Sequence, residues 1–244
     1  ADQLKSGPVE IAVVGAIDEE AVIAAVAKTF GALPARALES KADATSRVVK
    51  FTTSRTPVTL THNGTADQGI AVAVWPGPDN SDPKRSAEMS LLTAVGTIMM
   101  QDEIREKLGA TYSPSFGASL SDTFAGYGTI SASAPAAPDK AELVFGAYDA
   151  VVKELIEQPA SAELLNRARV PLLEQLDKAE RENAAWMGIV DQAQTRPGDL
   201  DRWRTRKARI EAITPADLQR LAKTYLSGTP LRVKVISEKA AAGK

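Results

Sequence analysis

The chain has 244 residues and a formal net charge of −2, from 29 Lys and Arg against 31 Asp and Glu, so no large-scale preference for nucleic acid or an acidic membrane is expected. It contains no cysteine and one histidine, His62, which excludes disulfide scaffolds, thiolate metal sites, cysteine nucleophiles and any zinc site that needs two histidines of this chain. An apolar content of 44% and a charged content of 25% are those of a globular protein, and no run reaches the ~18 apolar residues of a membrane span.

The first stretch, ADQLKSGPVEIAVVG, lacks the basic region and long apolar core of a signal peptide. It reads as the middle of a longer protein entering a strand. The β-branched run 9–15 predicts that strand, and Asp18 then caps a helix whose first turn holds Glu19 and Glu20. Val22, Ile23, Val26, Ala27 and Phe30 form its apolar face, and Gly31 ends it. After a polar connector, strands are expected in RVVKFTT (47–53), TPVTLTHN (56–63) and GIAVAVWPG (69–77).

Asp82-Pro83 predicts a helix start, and Ala87, Leu91, Ala94, Val95 and Ile98 carry the helix to about Leu108. Residues 111–121 and 125–134 read as two antiparallel strands around DTF, with Phe116, Ala118 and Leu120 on one face. Leu143, Ala147, Val151 and Leu155 mark a helix stopped by Pro159. The helix after Ser161 is expected to kink or break near Pro171, and residues 199–213 predict another. TPAD (214–217) opens a helix to Leu226 with Thr as cap, Pro first and Asp third. LRVKVIS (231–237) is a final strand before a loose tail. The short links between strands give an α+β fold, a mainly antiparallel sheet with helices packed on it. No linker divides the chain, so residues 1–244 read as a single domain.

Few residues carry chemistry of their own. VVGAIDEEA has the outline of a nucleotide-binding start but lacks GxGxxG, and reads as a tight turn. His62 has no ligand-type residue at metal spacing and reads as a turn histidine. The basic run RWRTRKAR (202–209) is surrounded by Asp199, Asp201 and Glu211 and reads as a solvated helix face. Ser113 and Ser115 have no triad partner, and Glu180 and Glu182 look like helix-surface residues. One stretch stays open: in REKLGATYSPS (105–115), Arg105 and Lys107 suit a helix C-terminus and Gly109 a left-handed cap, with Tyr112 packing at a strand start. Alternatively, Arg105 and Tyr112 are aimed together at a ligand.

Four stretches in order, VEIAVVGAIDEEAVIAAVAKTFGALPAR, TPVTLTHNGTADQGIAVAVWPGPDNSDP, REKLGATYSPS and ELLNRARVPLLEQL, resemble the insulinase/pitrilysin-like zinc metallopeptidases. The likeness is to the non-zinc homologous domain at the C-terminal end of two-half members. It implies a C-terminal fragment of such a protein, inactive alone because H-x-x-E-H is missing. It implies no cofactor in this chain, with zinc in a homologous half or subunit that closes with it around a peptide substrate. Arg105 and Tyr112 fall on the family's Arg and Tyr, which bind substrate: the Arg holds a carbonyl and the Tyr donates to the oxyanion formed when zinc-bound water attacks. A periplasmic location is implied by bacterial relatives. The rival expectations are a purely structural assembly domain and a free-standing peptide-binding module.

Overall fold

The computed structural model describes residues 7–36, 48–108, 113–191, 193–194, 196 and 198–242. The chain forms two compact units, Ala1–Ser46 with Glu174–Lys207, and Arg47–Leu173 with Ala208–Lys244.

The larger unit is built on a five-stranded sheet. Its strands are β1 (Val58–His62), β2 (Gly69–Gly77), β3 (Ser115–Leu120), β4 (Gly128–Pro135) and β5 (Leu231–Ser237), in the order β1-β5-β2-β4-β3. Three of the four pairings are antiparallel, and β1 with β5 is parallel. The last strand therefore lies between β1 and β2, which the loop 63–68 connects around it. In that loop His62 Nδ1 accepts the Gly64 N–H at 2.8 Å, and its Nε2 lies 3.1 Å from the Gln68 carbonyl. The Nε2–H tautomer satisfies both contacts. Ser237, fully buried, donates to the Gly64 carbonyl at 2.9 Å and ties β5 under the same loop.

Three helices of this unit, α2 (Pro83–Leu108), α3 (Ala141–Glu157) and α8 (Pro215–Tyr225), pack against one another, and each reaches a strand of the sheet. Asp82 caps α2 by accepting from the N–H groups of Lys84 (2.9 Å) and Arg85 (3.3 Å). Thr214 and Asp217 form a full capping box on α8, with Pro215 in its first turn. Alternate residues of β2 and β4, among them Ala71, Ala73, Trp75, Ile130 and Ala132, face the core and meet Leu91, Leu92 and Val95 of α2 and Val144 and Tyr148 of α3. On β5 the register places Arg232 and Lys234 on the helix side, where they pair with Asp149 (2.6 Å) and Glu142 (3.3 Å) of α3.

At β3 helix and strand come unusually close. A Cβ on Gly96 would sit 2.3 Å from Cδ1 of Phe116. The hydroxyl of the next residue, Thr97, accepts the Phe116 N–H at 3.1 Å and shares its one hydrogen between the carbonyls of Thr93 (2.9 Å) and Phe116 (3.1 Å), so it occupies that part of the sheet edge.

The smaller unit holds α1 (Glu19–Lys28) with a 3-10 turn (Phe30–Ala32), α5 (Asn183–Val190) and α6 (Gly198–Arg204). Helices α4 (Ala162–Ala179) and α7 (Arg206–Glu211) and a last short helix, α9 (Glu238–Ala242), complete the elements.

The α+β class and the mainly antiparallel sheet are as expected, but five local expectations are corrected. Residues 9–15 and the described part of 47–53 form no strand: neither has a ladder partner among the described residues, and Val9, Val13, Val48 and Val49 are exposed. Helix α4 runs through Pro171 unbroken, the break falling at 180–182. Pro171 is exposed, so water can solvate the carbonyl that its missing N–H leaves free. The helix expected over 199–213 is divided at Thr205, whose hydroxyl bonds back to the Asp201 carbonyl at 2.6 Å. The tail is not wholly loose, since α9 follows β5 directly.

A Gly96→Ala substitution tests the close approach. Alanine gains about 1 kcal/mol of helix propensity, but the contact with Phe116 forces overpacking that costs about 1–3 kcal/mol. The expected net result is a lower Tm in thermal unfolding.

Candidate functional site

Arg105 lies in the last turn of α2. Its neighbour Ile104 is buried in the core, which turns Arg105 outward. The Arg105 side chain is 74% exposed and reaches Asp102 Oδ1 at 4.0 Å, one turn back on the same face. The other oxygen of Asp102 lies 3.9 Å from Nη1 of Arg167 on α4. One carboxylate thus stands between two guanidinium groups contributed by different helices. Both contacts are longer than hydrogen bonds, and exposed ion pairs of this kind contribute about 0–1 kcal/mol. Tyr112, the second expected site residue, and Gly109, the expected cap, lie outside the described residues.

Asp102 and Arg167 also line a cleft of about 340 Å3, together with Met99, Glu103, Glu154 and Glu163. Four carboxylates and one guanidinium give it an acidic lining.

Other arginines of the larger unit are held more tightly. Arg85 Nη2 lies 2.8 Å from Asp79 and Arg232 Nη2 2.6 Å from Asp149, while Arg169 donates to the Ile213 carbonyl. Arg105 keeps most of its donor fork turned to solvent, which is what a guanidinium needs to take a carbonyl or carboxylate of a ligand.

The remaining sequence candidates are structural. His62 organises the β1–β2 loop. In the basic run, Arg206 bonds Glu180 (2.8 Å) and stacks on Trp203, and Lys207 pairs with Asp177 and Glu180. Those hydrogen bonds lower the Asp177 and Glu180 carboxyls and raise the Lys207 ammonium. Ser115 Oγ meets Ser133 Oγ across the strands at 2.8 Å. Gly15 takes a φ of +151°, a value that favours glycine, and Asp18 caps α1 through the Ala21 N–H at 3.1 Å, the expected turn.

Sequence reasoning missed two carboxylates. Glu88 of α2 is 2% exposed, and its Oε2 meets Arg220 of α8 at 2.8 Å. Its Oε1 lies 3.7 Å from Lys84 Nζ and has no hydrogen-bond partner among the described residues. An acid three residues before Leu91, on the apolar face, was the available signal. Asp79 accepts from Gly126 N–H (2.6 Å), Ser81 Oγ (2.6 Å) and Arg85 (2.8 Å), clamping the β2–α2 loop to the β3–β4 turn. These donors, the Gly126 N–H first, lower its pKa from 3.8 to about 2.

Among the described residues, no group of three or more His, Cys, Asp or Glu is placed to hold a metal ion, and no helix is long and apolar enough to cross a membrane. With one histidine in the chain, the residues present do not fit an H-x-x-E-H zinc site.

The family model described as the peptidase M16 inactive domain matches residues 4–172. The chain belongs to that family. This M16 inactive domain is thus a non-catalytic domain of a metallopeptidase family, of the insulinase-like kind. No curated protein sequence matches it significantly. Its fold is that of a protease from Helicobacter pylori (16% identity, TM-score 0.69), covering 91% of this chain and 53% of that one. It is also that of the periplasmic protease PqqL from Escherichia coli (18%, TM-score 0.65), covering 91% and 24%. A third is a peptidase M16 inactive domain from Pseudomonas fluorescens (16%, TM-score 0.69), covering 91% and 51%. The chain thus spans about half the length of the first and third and a quarter of the second.

Two substitutions test the missed carboxylates. Arg220→Ala leaves Glu88 buried without its hydrogen-bonding partner. A loss of about 2 kcal/mol in denaturant unfolding is expected, below the ~3–5 kcal/mol of a fully buried pair because Arg220 is half exposed, and adding Glu88→Met regains most of it. For Asp79 the folded pKa lies below the unfolded one. Its stabilisation is therefore complete above about pH 4 and lost as pH falls toward 2; Asp79→Asn removes about 1 kcal/mol at pH 7 and flattens the stability profile in that acid window.

Proposed function

We propose that this chain is the substrate-binding, chamber-forming domain of a zinc metalloendopeptidase, and that residues 1–244 work as one inactive domain beside a zinc-bearing homologous half or subunit. The exposure of Arg105 carries this reading. Its guanidinium is turned to solvent at the end of the helix, seven residues before the tyrosine of the motif that resembles the family's Arg–Tyr pair. In this reading Arg105 binds a carbonyl oxygen of an extended peptide. Tyr112 donates its hydroxyl hydrogen to the oxygen that becomes negative as the scissile bond is attacked. Both act on chemistry that the partner supplies. That the Escherichia coli neighbour is a periplasmic protease supports the periplasm as the compartment for this chain.

A fluorogenic unstructured peptide, offered to the chain alone, to its zinc-bearing half, and to their mixture, tests the reading. The chain alone is expected to be inert and the mixture to cleave. Arg105→Ala or Tyr112→Phe in the mixture is expected to lower kcat/KM at least tenfold, about 1.4 kcal/mol of transition-state stabilisation. Equal cleavage by both variants overturns the substrate role and leaves a structural assembly domain.

A further inference from the structure

Arg85, Arg105, Arg167, Arg220 and Arg232 of the larger unit each stand 2.6 to 4.0 Å from a carboxylate. Arg55, just before β1, has no such partner among the described residues. Its guanidinium is held by backbone instead: Nε donates to the Thr229 carbonyl at 2.8 Å, and Nη1 to the carbonyls of Thr52 and Ser54. The group also lies over the Phe51 ring, 5.1 Å from its centroid. These contacts fix the donor fork in place, and uncharged carbonyls leave its positive charge unbalanced. Nη2 makes no hydrogen bond to any described residue.

Arg55 is one wall of a cavity of about 500 Å3 at the end of β2, whose other walls include Pro76 of β2, Thr224 and Tyr225 of α8, and Thr229 of the link to β5. No acid lines it. The hydroxyls of Tyr225 and Thr229 have no hydrogen-bond partner among the described residues, whereas Thr224 donates its hydrogen to the Arg220 carbonyl at 2.8 Å. The link itself is fixed from two sides, by Arg55 at Thr229 and by Trp75 Nε1, which donates to the Gly228 carbonyl at 3.1 Å. A helix C-terminus opposes negative charge, but the Ala222 and Lys223 carbonyls at this end of α8 are already taken, by the Leu226 N–H (2.8 Å) and Ser227 Oγ (2.7 Å).

A fixed guanidinium, two hydroxyl donors and no carboxylate call for an anion. One cation balances the single charge of a carboxylate and not the two of a phosphate. The cavity also has room well beyond one carboxyl group, and the Pro76 and Tyr225 rings offer it apolar surface. We propose that this cavity binds the free C-terminal carboxylate of a peptide, with Arg55 and the Tyr225 and Thr229 hydroxyls donating to its two oxygens and the last side chain lying against Pro76 and the Tyr225 ring. The choice of a peptide rests on the peptide-binding reading given under Proposed function. A free organic acid carries the same carboxylate and is the competing source.

Titration calorimetry on the full chain, without any zinc-bearing half, tests this with one short unstructured peptide in two forms, free acid and C-terminal amide, and with acetate and inorganic phosphate. The acid is expected to bind about tenfold or more tightly than the amide, and acetate and phosphate more weakly than the acid. Arg55→Gln is expected to erase the difference between acid and amide. Because Arg55 also ties the link to the segment before β1, the pair Tyr225→Phe with Thr229→Val serves as the second variant. It keeps side-chain volume, is expected to leave Tm unchanged, and weakens the acid several-fold while leaving the amide as it was. Equal binding of acid and amide, or binding of neither, overturns the site. So does a preference for the acid that survives both variants. Acetate or phosphate binding as tightly as the acid peptide overturns the peptide as occupant. A preference for the acid, with cleavage by the mixture indifferent to Arg105→Ala, supports this site and removes the role given to Arg105. No preference, with cleavage that depends on Arg105, overturns this site and leaves the proposed function standing.

Discussion

Helix α2 can lie against β3 because position 96 carries no side chain. The ring of Phe116 fills the space that a Cβ would need, and the Thr97 hydroxyl accepts the N–H of the same phenylalanine and lies within hydrogen-bond distance of its carbonyl. This one contact fixes how deep the longest helix sits on the sheet. From that depth follow the burial of Leu91, Leu92 and Val95, the meeting of Glu88 with Arg220 on α8, and the direction in which the last turn leaves the core. Arg105 is exposed because Ile104, beside it, is drawn in.

Much of this fold was legible where the signal is local. Asp82-Pro83 and the Thr214–Asp217 box gave helix starts that the capping hydrogen bonds reproduce, and β2 and β5 cover the expected residues. What depends on a distant partner was not legible. Residues 9–15 have the right composition for a strand, but a strand exists only with a neighbour. The insertion of β5 between β1 and β2 leaves no trace in either strand's own pattern. Pro171 misled because the rule against proline in helices assumes a carbonyl with no other solution, and an exposed position leaves that carbonyl open to solvent.

The candidate site divides along the same line. Arg105 was found through a motif likeness, and local chemistry alone allowed a simple helix cap. Its relation to Arg167 through Asp102 joins residues more than sixty positions apart, and only the packing of α4 near the end of α2 brings them together. Asp79 shows the opposite case, a strongly shifted carboxyl whose donors come from its own loop, the β3–β4 turn and the first turn of α2, which it holds together. A perturbed acid is not by itself a functional one.

The placement of β5 has a consequence for the order of assembly. Val233 pairs with Val58 on one side and Val72 on the other, so the two portions of the sheet have no hydrogen-bonded contact until the last-made strand arrives. During synthesis β2, β4 and β3 can form a three-stranded meander around α2 while β1 waits, its edge unclaimed. Pairings this far apart in sequence close slowly. Until β5 is made the sheet stays open, and for that interval the threonine over the β3 edge covers part of one side only, leaving the edge of β2 to be shielded by whatever the cell provides for nascent chains.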